Sequence, residues 1–161
     1  AHQGQQVYED VAVVTLIEPV MQKLQSEIKG HIHFTATLEE GLVVRCNPPH
    51  LEEVLRQLMR NAVEAMPEGG TLAIEARLET DQVLIDVRDT GVGIPEENLA
   101  KIFDPFYTTK SVGSGTGMGL NTVYNIITVH GGTISATSTP GEGTAFTLQL
   151  PLAKPGGNRR A

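Results

Sequence analysis

One cysteine, Cys46, stands in a chain of 161 residues. An internal disulfide is therefore excluded, and a reducing compartment fits. Cys46 reads as a small buried residue rather than a nucleophile. No apolar run reaches membrane-spanning length, and the opening "AHQGQQVYED" lacks the basic-then-apolar pattern of a secretory leader. Cations are few: 12 Lys and Arg against 19 Asp and Glu, a net charge of −7. Bulk positive charge for a nucleic-acid face is missing. A polyanionic ligand would have to be held by local donors and a metal. No internal repeat is found. G-K-[ST] is absent too, which excludes the P-loop form of phosphate binding. The first residue is Ala rather than Met, so the expectation is a piece of a longer protein.

What is present is 40% hydrophobic and 19% charged, the make-up of one soluble globular domain with a real core. Asp10 is placed to cap a helix running to about residue 30, with Val13, Leu16, Val20, Leu24 and Ile28 at helical spacing. Pro19 should kink it or mark its true start. "HIHFTATL" alternates as a half-buried strand, and the short strand "LVVRC" follows. "NPPH" opens a helix with prolines in its first turn, striped by Leu51, Val54, Leu55, Leu58, Ala62 and Ala65. "TLAIEARL" and "QVLIDVRD" around "ETD" form a hairpin. A helix from about Leu120 to His130 carries Leu120, Val123, Tyr124 and Ile127 on one face. "TISATS" and "TAFTLQLP" close the domain around "PGEG". Helices on one face of a mixed sheet give a two-layer α/β sandwich. The tail "KPGGNRR" reads as disordered.

The segment "GSGTGMGLN", residues 113–121, has glycine at every second position before an apolar helix. Taken alone it reads first as a surface loop. A dinucleotide fingerprint needs G-x-G-x-x-G directly after a strand, and this spacing is different. A phosphate cradle at a helix N-terminus is the third reading. Asp89 shares the inward parity of Val83, Ile85 and Val87, so its carboxylate would sit under the helices, a costly place unless paired. It could read an adenine amine, or be a turn aspartate before glycine; position alone leaves both standing. Asn61 lies beside the apolar stripe of its helix, with Gln57 one turn earlier and Glu64 one turn later. An amide oxygen there can ligate Mg²⁺. For Gln57 and Glu64 the favoured reading is a solvated helix edge.

Together these segments resemble the ATP-binding catalytic domain of bacterial sensor histidine kinases, within the gyrase, Hsp90, MutL and histidine-kinase ATPase group. "LRQLMRNAVEAM" looks like the N box, "DTGVGIP" the first glycine box, "IFDPFYTTK" the F box, "GTGMGL" the second glycine box and "GEGTAFTLQLP" the closing strand. Their order and spacing cover about residues 10–151. The resemblance implies a Bergerat-type fold over residues 1–152, with a mostly antiparallel sheet, about three helices and a mobile ATP lid; residues 153–161 remain as a tail. It implies Mg²⁺ on Asn61, adenine read by Asp89, and clearance for the base from Gly91 and Gly93 beside Ile94. Phe103 and Phe106 would anchor the lid, and Thr109 and Lys110 would touch phosphate. Gly115, Thr116, Gly117, Met118, Gly119 and Leu120 would form the cradle, and Thr144 would hold a water beside the base. Lys110, Asn61 and Gln57 are the catalytic candidates.

Gln57 departs from the Asn of many such kinases and from the general-base Glu of ATP-hydrolysing relatives. Glu64 stands where a basic residue is frequent. None of the five histidines sits in an H-E-[LF]-[RN]-x-P-like setting. The implied partners are therefore a histidine-bearing dimerisation domain N-terminal to residue 1 and a response regulator, not nucleic acid. The isolated domain would be monomeric, the parent a homodimer, and the location cytoplasmic. An anti-sigma-type serine kinase and an ATP-driven clamp are the alternatives. Gln57 and the short lid argue against the clamp.

Overall fold

A computed structural model describes residues 7–28, 30–105 and 119–153. Strand β1 spans Glu9–Ala12 and helix α1 Val13–Glu27. Strands β2 (Ile32–Leu38) and β3 (Val43–Cys46) precede helix α2 (Pro48–Glu64). Strands β4 (Gly70–Glu79) and β5 (Gln82–Asp89) form the hairpin, followed by the short helix α3 (Glu96–Leu99). Helix α4 (Leu120–Val129) and strands β6 (Thr133–Thr139) and β7 (Gly143–Pro151) complete the described chain.

Five strands form one sheet in the order β2-β4-β5-β7-β6. Only β2 and β4 run parallel; the other neighbours are antiparallel. The inward residues Ile74, Ile85, Phe146 and Leu148 meet Leu16, Leu51, Leu55, Leu58, Val123 and Ile127 of the helices in a single core. This is the expected two-layer sandwich with a mixed, mostly antiparallel sheet. On the other face, Asp86 is buried beneath Arg77, Arg88 and Thr147. Burial alone would raise its pKa, but the Thr147 hydroxyl and the two guanidinium groups outweigh that and hold it below the usual carboxylate range.

The helix expected from Asp10 begins three residues later. Residues 9–12 instead pair antiparallel with β3, as a separate two-stranded sheet. Asp10 bonds Arg45 of that partner strand at 3.2 Å and is not the cap of α1, whose N-cap is Ala12. Pro19 neither starts nor ends α1; the helix runs through it. At α2 the expectation holds: Asn47 is the N-cap, its side chain accepting the His50 N–H at 3.3 Å, with prolines behind it. The Asn47 N–H in turn donates to Nε2 of His130 at 3.1 Å, tying the end of α4 to the start of α2. Tyr124 stands 43% exposed, so the buried face of α4 is Val123 and Ile127. Cys46 is buried, and burial, with Glu9, Glu52 and Asp10 nearby, pushes its thiol up to about 11. An inert thiol follows.

Candidate nucleotide site

Strand β5 delivers Asp89 to the inner face, as its parity predicts, and leaves it 8% exposed. Its Oδ1 accepts two backbone N–H groups, from Gly91 at 2.8 Å and from Thr144 at 3.3 Å. Burial raises its pKa, and the two N–H bonds pull the other way; the net direction is up. Oδ2 takes no hydrogen bond from a described residue, yet no fully buried side-chain oxygen among the described residues lacks a partner. Oδ2 therefore reaches accessible surface. The site presents an oriented, half-used carboxylate.

The segment after Asp89 is clasped from two sides. On the helix side, Val92 donates to the Ala65 carbonyl at the end of α2, at 2.9 Å. On the strand side, Gly141 donates to Val92 O at 2.8 Å, and Ile94 donates to Ser138 Oγ at 2.7 Å. The first two glycines have their reason here. A Cβ on Gly91 would meet the Ala65 carbonyl oxygen at 2.2 Å; Gly93 has φ +78° and would meet the Thr139 carbonyl at 2.4 Å. Their bareness lets the chain pack on itself, which explains them without a ligand. Ile94 lies partly buried against the core.

One turn back along α2, Asn61 is half-buried and Gln57 is 6% exposed. The expected solvated edge is corrected for Gln57: its Nε2 donates to Asn61 Oδ1 at 3.0 Å across one helical turn. Glu64 stays exposed. An amide oxygen has two lone pairs; Gln57 takes one and orients the group, leaving the other for a cation. Asn61 thus fits Mg²⁺ as a single ligand, the mode in which phosphate and water fill the remaining positions. Among the described residues no three His, Cys, Asp or Glu side chains gather as a metal cage.

Helix α4 enters with Gly119 as N-cap and no side-chain cap. The Gly119 carbonyl accepts from Thr122 and Val123, so the Leu120 and Asn121 N–H groups open the helix. Its position is set by Asn121, whose Nδ2 donates to the Phe103 carbonyl at 2.9 Å. Phe103 packs partly buried, with its ring 5.9 Å from Tyr124 and 6.3 Å, edge-on, from Phe146. Phe106, Thr109, Lys110, Gly115, Thr116, Gly117 and Met118, and with them the expected lid, lie outside the described residues, as does the tail beyond residue 153.

Sequence reasoning missed Asn121 and Ser138. Ser138 shares the parity of Ile134 and Ala136, a signal that was available. For Asn121, on a helix edge, there was none.

The two-layer sandwich thus carries a buried carboxylate at the end of its central strand and an oriented amide on the facing helix. The chain belongs to the family described as histidine kinase-, DNA gyrase B-, and HSP90-like ATPase, whose model matches residues 46–154. Within it the likeness is to histidine kinases. The chain is 40% identical over 157 residues to sporulation kinase E of Bacillus subtilis, across 96% of this chain and 21% of the kinase. The catalytic domain of histidine kinase ThkA, solved nucleotide-free, superposes with a TM-score of 0.83 at 33% identity, over 91% of this chain and 97% of that one. ThkA solved with the response regulator protein TrrA matches at 0.78 and 30% identity, over 91% of this chain and 42% of that one. The chain is thus a catalytic ATPase domain of the histidine-kinase type, an ATP-binding family. It spans about a fifth of the length of sporulation kinase E. No helix among the described residues is long and apolar enough to cross a membrane.

Proposed function

We propose that this domain binds Mg²⁺–ATP and passes the γ-phosphoryl to a histidine on a separate dimerisation domain, within a homodimeric two-component kinase that serves a response regulator in the cytoplasm. The observation that carries the reading is Asp89, a buried carboxylate fixed through one oxygen and open at the other. A carboxylate with one oxygen held and the other open is suited to an exocyclic amine. Asp89, Thr144 and the Gly91–Ile94 segment would hold the base, and Phe103 would anchor the segment that follows. Gly115 to Leu120, with Thr109 and Lys110, would face the phosphates.

Asn61 would hold Mg²⁺ through its open lone pair. Bound there, the ion would neutralise charge on the phosphate oxygens. The reaction breaks the bond between the γ-phosphorus and the β–γ bridging oxygen, releases ADP, and forms a phosphorus–nitrogen bond on the acceptor imidazole. It needs positioning more than covalent help. Gln57 supports transfer over hydrolysis. Its amide cannot take a proton from water, and it is committed to orienting Asn61.

The test is labelling with γ-³²P-ATP, with and without the parent protein's histidine-bearing domain added in trans. Acid-labile label should appear on the added domain and not on residues 1–161 alone. Strong phosphohistidine on this chain alone would contradict the reading.

A further inference from the structure

Asp89, Thr144 and Ser138 lie in one cross-strand row, at the ends of β5, β7 and β6. Ser138 Oγ accepts the Ile94 N–H at 2.7 Å and lies 3.0 Å from the Gly143 carbonyl and 2.8 Å from Thr144 Oγ1. A serine hydroxyl has one proton and two lone pairs. The Gly143 carbonyl can only accept, and the Ile94 amide can only donate. One arrangement satisfies all three contacts: Ser138 donates to Gly143 and accepts from both Ile94 and Thr144. The Thr144 proton is then committed inside the protein. Its lone pairs are all that it offers outward, at the cross-strand position paired with Asp89.

We propose that Ser138 is a specificity-determining positioning residue. By taking the Thr144 proton it leaves the Asp89–Thr144 wall with acceptors only. Such a wall favours a base edge that donates, as a 6-aminopurine does, and disfavours a 6-oxopurine, whose carbonyl would face lone pairs. An unmatched polar contact of this kind discriminates strongly. The inference rests on the reading of Asp89 as the base contact.

Calorimetric titration of the folded chain with ADP and with IDP tests it. The wild type should prefer ADP. Ser138→Ala frees the Thr144 proton to point outward, so the ADP:IDP affinity ratio should contract by about three- to tenfold, the scale of one neutral hydrogen bond. Ser138→Thr keeps the hydroxyl and should keep the ratio. Thr144→Val preserves the shape and leaves the Ser138 bonds to Ile94 and Gly143 intact; it should contract the ratio even where Ser138→Ala folds poorly. A role confined to holding the Ile94 loop would weaken both nucleotides equally. An unchanged ratio in Ser138→Ala or in Thr144→Val overturns the proposal and leaves the Asp89 reading intact. A wild type that does not prefer ADP overturns both.

Discussion

The single residue that the proposed site depends on most is held at a disadvantage. Asp89 has a raised pKa, chiefly because burial penalises its charged form. Stability tied to its proton is therefore present below the unfolded value and lost as pH rises through the folded one. At neutral pH the free domain carries this cost. Asp89→Asn keeps an oxygen for the Gly91 and Thr144 N–H groups and removes the charge. Thermal unfolding of the variant at pH 7 should occur at the wild-type temperature or above it, and the difference should close in acid, toward about pH 4. Affinity for adenine nucleotide should fall about tenfold to a hundredfold, the scale of a lost charge-assisted hydrogen bond. A variant that unfolds early yet binds normally would make Asp89 a structural carboxylate.

At the scale of elements, the site is set by where α2 ends. The Ala65 carbonyl receives Val92, and Gly91 lies so close that a methyl group cannot fit without movement. Gly91→Ala should destabilise the domain by about 1–3 kcal/mol, as overpacking does, and urea unfolding would read it. Wild-type stability would mean that the contact between helix and loop is slack. Much of this level was legible in the sequence. Period 2 in β5 placed Asp89 inside before any fold was known, and helical period 3.6 placed Asn61 beside the buried stripe of α2. Other features were not legible for identifiable reasons. Asp10 looks like a helix cap because caps are local, whereas its partner Arg45 lies on a strand 35 residues away. Helix α3 has four residues, too few for any periodicity. Gln57 looked solvated because a helical wheel shows its polar neighbours and not its burial in the folded chain.

At the scale of the whole molecule, one sheet collects the parts. Strands β5, β7 and β6 bring Asp89, Thr144 and Ser138 into a row, α2 carries Gln57 and Asn61 across the inner face, and α4 starts where Asn121 holds the Phe103 carbonyl. The central claim is that these parts form one Mg²⁺-dependent adenine-nucleotide site. The most direct measurement is calorimetric titration of the chain with ADP, in Mg²⁺ and in EDTA, for the wild type and for Asn61→Ala. We expect one site, tighter with Mg²⁺, and an Asn61→Ala variant that loses most of the Mg²⁺-dependent gain while its affinity in EDTA changes little. Absence of binding, or an equal loss with and without the metal, would contradict the account.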